Sequence, residues 1–203
     1  MEQKKFLENR RTFLAKAVPL SALACLGCKG PAVQQLMAGS TRQEQKSLGM
    51  STEETYSFFY GMFIPLLRSL ENEIGSGKFI DLITKVSLDS LRSMVTSMTK
   101  DLPKKDLQAF ASFLKDILAA PPYSSAFSCE IVEQTDSVLE LKYTDCIPAR
   151  LLRSMKAADI GLAIECSGAK AAVDVFNAKI NYTNPKNIMK GDNYCLERFT
   201  FRA

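Results

Sequence analysis

Two adjacent prolines, Pro121 and Pro122, divide this chain into halves whose apolar residues repeat with different periods. Before them the period is helical; after them it alternates, and a segment patterned for a helix does not settle as a strand. Ser51-Thr52-Glu53-Glu54 has the Ser-x-x-Glu form of a capping box and opens a predicted helix to about Ile74. Tyr56, Phe59, Tyr60, Phe63, Leu66, Leu67 and Leu70 recur along it at helical spacing, and Gly75-Ser76-Gly77 is read as its stop. A second helix is expected over 78–99, carrying Phe79, Leu82, Ile83, Val86, Leu91, Met94, Val95 and Met98, and a third from Pro103, carrying Leu107, Phe110, Phe113, Leu114, Ile117 and Leu118. Core packing accounts for the Met and Phe residues of this three-helix half.

Beyond the prolines, 127–133 and 138–143 alternate as two strands around a turn at Thr135-Asp136-Ser137. A short helix is expected over 148–158, a mostly helical stretch over 160–176 broken near Gly168, and strands over 179–183 and 196–201. Segregated helices and strands predict an α+β fold: about three helices, then an antiparallel sheet with short helices. The domain is expected to span 51–203, as a helical half (51–122) and a Cys-containing half (123–203).

The 203 residues contain no His, which removes Ser-His-Asp triads, Cys-His dyads and His-ligated metals from consideration. Chemistry must come from carboxylates, thiols, Lys, Tyr or backbone groups. The formal charge of +4 comes mostly from residues 1–28; without them the balance is about +1. With no basic stripe, nucleic acid is not an expected partner.

Asn9-Arg10-Arg11-Thr12-Phe13-Leu14-Ala15-Lys16 resembles a twin-arginine export motif, and the apolar run 17–27 has signal length, short of the roughly twenty residues that span a bilayer. The resemblance implies export through the twin-arginine (Tat) machinery to the periplasm or the outer membrane face of a bacterium. Either a cleavage after Ala22-Leu23-Ala24 or a lipidated Cys28 would end the signal, Cys28 then being the expected membrane anchor. Cys25-x-x-Cys28 is taken as coincidence inside the signal, and 29–50 as a linker.

Four thiols remain. Cys129 alternates with Phe127 and Ile131 and is expected to be a buried structural residue; Cys146, Cys166 and Cys195 sit at element ends, where exposed chemistry concentrates. Asp145-Cys146-Ile147-Pro148, then Cys166, then Phe176-Asn177-Ala178-Lys179-Ile180, then 188–199 with Gly191-Asp192-Asn193-Tyr194-Cys195 resemble the L-2-amino-thiazoline-4-carboxylic acid hydrolase family. The Gly-Asp-x-x-Cys step is shared more loosely with 4-vinyl-reductase-like small-molecule-binding domains. The resemblance implies a small-molecule substrate and hydrolytic opening of a thiazoline ring to a carbamoyl-cysteine type of product, with Cys146, Cys166, Cys195 and Asp192 as catalytic candidates. A carboxylate expected soon after the middle Cys is displaced to Asp174.

Three readings of the thiols stay open. Cys146, Cys166 and Cys195 could hold zinc or another thiophilic metal with one open position, although their spacing matches no standard ligand signature. One could be a nucleophile favoured by Lys170 or Lys190, with Asp192 as proton shuttle. All four could form disulfides, as exported proteins permit. A non-catalytic domain that binds a small molecule or a metal is the alternative to an enzyme.

Overall fold

Ser51 caps the first helix as its sequence predicts: its backbone N–H donates to Glu54 Oε2 at 2.7 Å and its hydroxyl accepts from the Glu54 N–H at 3.2 Å. The computed structural model describes residues 49–202, which lie in one compact unit, Ser47–Ala203. The twin-arginine segment, the cleavage and lipidation sites and all but the end of the linker lie outside the described residues. No helix among the described residues is long and apolar enough to cross a membrane.

Helix α1 (Thr52–Ile74) ends at Gly75, whose φ of 86° lies in a region that favours glycine, and α2 (Ser76–Thr99) starts immediately afterwards. Gly77 is therefore inside a helix, and Gly75 alone makes the break. Helix α3 (Leu107–Ala119) begins later than Pro103 suggests, because the Asp106 carboxylate accepts from the Ala109 N–H at 2.9 Å and sets the N-cap there. A single turn, α4 (Tyr123–Ala126), follows the double proline and leads into the sheet.

The sheet is antiparallel with order β1-β2-β4-β3, comprising β1 (Phe127–Gln134), β2 (Val138–Cys146), β3 (Ile180–Lys186) and β4 (Cys195–Phe201). Between β2 and β3 run α5 (Ile147–Ser154), α6 (Ala158–Ile164) and α7 (Gly168–Phe176). The expected α+β class is the observed one. The three N-terminal helices do not form a bundle, however: α3 packs on β2 and β4, while α2 packs chiefly on α6 and α7.

Burial is divided between two apolar clusters. In one, Leu107, Phe110 and Phe113 of α3 and Val173 and Phe176 of α7 cover Leu139, Leu141, Ile180 and Phe199 of the sheet. In the other, Tyr60 and Ile64 of α1 and Phe79 of α2 meet Ala149 and Leu152 of α5, Ile160 of α6, and Met189. Arg68 ties α1 to α6 by donating to both carboxylate oxygens of Asp159, at 2.7 and 2.8 Å.

Not all of the expected helical stripe is buried. Phe63, Leu66 and Leu70 of α1 and Leu82, Val86, Met94 and Met98 of α2 face outward, so core packing does not account for them. The sequence overestimates this core because both helices are apolar on two sides.

Candidate functional site

The inner face of the sheet changes chemistry along its length. Side chains alternate across a strand, so Tyr143 shares a face with buried Leu139 and Leu141, and Cys195 and Glu197 share one with Phe199. The register places Leu139 opposite Phe199, Leu141 opposite Glu197 and Tyr143 opposite Cys195. One end of this face is hydrocarbon; the other presents a thiol, a carboxyl and phenols.

Two carboxyls anchor the polar end. Glu197 accepts from Tyr182 Oη at 3.0 Å and from Tyr143 Oη at 3.2 Å, and burial pushes its pKa up. Glu165, which follows α6, accepts from Tyr60 Oη at 2.8 Å and is also raised by burial. Glu165 as a residue is exposed, while its carboxyl is held against α1 by the Tyr60 bond. Among the described residues neither carboxyl has an ion-pair partner.

The three candidate thiols converge here. Cys146 caps α5, its Sγ accepting from the Ala149 N–H at 3.4 Å. Cys166 directs its thiol toward Asn187 Oδ1 at 3.9 Å, and Cys195 Sγ accepts from the Ile188 N–H at 3.2 Å. Burial pushes Cys146 up to about 12, with Cys195 and Cys166 adding to the rise, and Cys166 to about 11, with Cys195 and Glu165 adding. Cys195 is raised too, again by burial first. The thiols are thus electrical neighbours, held neutral.

Asp192 has a different surrounding. Its Oδ2 accepts from the Asn187 N–H at 2.8 Å and its Oδ1 from Lys186 at 3.3 Å, and these bonds hold it below the usual carboxylate range. It braces the turn through buried Asn187 and the 3₁₀ segment Ile188–Lys190, which Gly191 closes at φ 107°. Asp192 also lines a cleft of about 510 Å³ with Cys146, Arg150, Arg153, Ile188 and Asn193. In that cleft Arg150 pairs with Glu53 and Asp145, whereas Arg153 donates to the Ile188 carbonyl at 3.1 Å and among the described residues is in no salt bridge.

Other expectations change. Cys129 is exposed on edge strand β1, not buried, because it lines an open groove between that strand and the ends of α3 and α4. The four described cysteines are free, so no disulfide links them. Lys170 pairs with Asp174, and no Lys is among the causes that shift Cys146 or Cys166. Among the described residues no group of three or more His, Cys, Asp or Glu is placed to hold a metal ion. On that donor geometry the residues do not fit zinc.

Sequence reasoning overlooked Glu165, Glu197, their tyrosines and Arg153. The signal for Glu197 was present, since Cys195, Glu197 and Phe199 alternate onto one face. Glu165 and Tyr60, far apart in the chain, meet only through the packing of α1 on the C-terminal half.

The carboxyl shifts give a testable pH dependence. A group raised in the folded state contributes stability that is full below its unfolded value, about 4.3 for Glu, and is lost as pH rises through the folded value. Thermal melts of Glu197→Gln should therefore match wild type near pH 4 and exceed it at neutral pH.

The L-2-amino-thiazoline-4-carboxylic acid hydrolase family model matches residues 55–199, a stretch that includes both carboxyls and all three thiols. No curated protein matches the chain. Among solved structures, it is similar to the crystal structure of an unliganded Fe(II) H-NOX protein mutant from K. algicida, at 14% identity, covering 98% of this chain and 95% of that one, with a TM-score of 0.40. A likeness at that score supports no statement about function.

Proposed function

The chain belongs to the L-2-amino-thiazoline-4-carboxylic acid hydrolase family, and from that membership we propose that it opens a C–N bond in a small cyclic sulfur-containing amino acid derivative. The observation that carries this reading is the convergence of Cys146, Cys166 and Cys195 beside Glu165 and Glu197, with Cys166 and Cys195 both held against the Asn187–Ile188 turn.

Cys146 is the nucleophile in this proposal. It stands at a helix N-terminus, where the Ala149 N–H stabilises a developing thiolate, while a charged Glu165 opposes it, so the carboxyl acts in its neutral, proton-transferring form. Cys146 Sγ attacks the amidine-like ring carbon, and its proton passes by way of Glu165 to the ring nitrogen. The C–N bond then breaks and leaves an amine. Water next adds to the same carbon and expels the thiol, so its oxygen becomes the carbonyl of a carbamoyl product and Cys146 regains a proton. A carboxyl raised toward neutrality is suited to both transfers. Asp192 holds the turn that positions Cys195 and Asn187.

Arg153 is the cation for the substrate carboxylate, since it lines the cleft beside Cys146 and has no acidic partner among the described residues. Arg153→Gln should raise KM about tenfold with kcat nearly unchanged, the loss expected for one charge-assisted hydrogen bond. Steady-state assays on L-2-amino-thiazoline-4-carboxylate measure both constants.

One observation favours a second reading, a domain that binds such a molecule without turning it over. All three candidate thiols are raised, so none is an activated nucleophile before ligand arrives. Calorimetric binding with no product in the same mixture would establish it.

Export through the Tat machinery, to the periplasm or to the outer membrane face through a lipid on Cys28, is part of the proposal and rests on Arg10, Arg11 and the apolar run behind them. Cell fractionation with Arg10→Lys and Arg11→Lys together tests it, retention in the cytoplasm being the expected result.

A further inference from the structure

Helix α1 has two apolar faces. Tyr60, Ile64 and half-buried Leu67 turn inward, while Phe58, Met62, Leu66 and Leu70 recur every fourth residue on the opposite side and point to solvent. Phe58, Met62 and Leu66 are 56%, 58% and 55% exposed, and Phe63 and Ile74 widen the stripe. A helix of 23 residues is about 35 Å long at 1.5 Å per residue, so the stripe runs most of that length.

We infer that this outward face of α1 is the contact between two copies of the chain. Six large side chains, each about half exposed out of roughly 200 Å², offer about 600 Å². That is at the upper end of what a monomer normally leaves open, and near the ~800 Å² that each partner gives to a standard interface once flanking residues are counted. Leu82, Val86, Met94 and Met98 give α2 a similar exposed row.

The charge on α1 decides between a second copy and a lipid surface. Helices that lie on membranes are rich in Lys and Arg, whereas α1 carries Glu53, Glu54, Glu71 and Glu73 against a single basic residue, Arg68, already bound to Asp159 and Glu71. An anionic bilayer would repel it. Neutral hydrocarbon along the middle of the helix, by contrast, complements its own two-fold image, as an isologous contact requires.

The test is sedimentation equilibrium of the full chain and of its exported form over a range of concentrations. The expected mass is twice the 22.5 kDa chain, or twice the mass of the exported form. Leu66→Glu should shift the equilibrium to single chains by at least a hundredfold in Kd, with the circular dichroism spectrum and melting of the folded protein retained. If that variant aggregates, Leu66→Ser, which only removes apolar area, should weaken Kd at least tenfold. A single-chain mass at all concentrations overturns the proposal, as it would if residues 1–48 covered the stripe. A dimer unaffected by either substitution also overturns it, as does binding of α1 to anionic vesicles in place of self-association.

Discussion

Cys146→Ser is expected to lower kcat/KM about a thousandfold, near 4 kcal/mol in transition-state stabilisation, while leaving the fold in place. The hydroxyl keeps the small polar cap that accepts from the Ala149 N–H, so α5 retains its start. What is lost is a sulfur that can ionise when a cationic ring enters. No His is available to activate an oxygen nucleophile in its place. Cys129→Ser provides the control: Cys129 is exposed on β1 and should leave both constants unchanged. Cys166→Ser should fall between the two, because Cys166 is an electrostatic neighbour of Cys146 and does not form the bond. Steady-state kinetics with thermal melts of each variant measures these effects and separates them from unfolding.

The second large effect is structural. Phe110 has no exposed surface, and its ring lies 5.0 Å from that of Phe176, 5.1 Å from Phe199 and 6.4 Å from Phe113. It is therefore the point where α3, α7 and β4 meet. Phe110→Ala should cost about 3–5 kcal/mol, from lost transfer energy and a cavity that rigid neighbours on three elements cannot fill. Against a total stability of roughly 5–15 kcal/mol, that removes a large share of the fold's margin. Urea denaturation should show the midpoint falling with its slope unchanged. Activity should fall with it, because Cys195, Glu197 and Phe199 are on one face of β4 and the placement of the first two depends on how that strand is seated.

The fold class was legible because period is a local property. The switch at Pro121-Pro122, the Ser51 capping box and the Thr135–Ser137 turn each act within a few residues, and each element they predict is present. What a helix packs against is not local. α3 belongs to the sheet and not to a bundle, and nothing in its own spacing distinguishes the two. Likewise the outward row on α1 reads as core until burial is known, since an apolar stripe looks the same whichever partner covers it.

The site was legible by element ends and lost by tertiary pairing. Cys146, Cys166 and Cys195 mark the junctions that come together, but the residues that set the site's electrostatics come from distant parts of the chain. Tyr60 bonds to Glu165 across α1 and α6, and Tyr143 and Tyr182 reach Glu197 from two strands. Asp192 was singled out for its Gly-Asp-x-x-Cys setting and serves as a turn brace, the ordinary use of Asp after Gly. The metal reading fails on geometry: the three sulfurs come from three separate junctions, and among the described residues no three donor groups are placed around one ion.

Mass analysis of the products formed from L-2-amino-thiazoline-4-carboxylate in heavy-oxygen water tests the central claim most directly. The account predicts a carbamoyl product carrying the heavy oxygen with wild type and none with Cys146→Ser. Saturable binding of the thiazoline to wild type with no labelled product would contradict it and leave a binding domain.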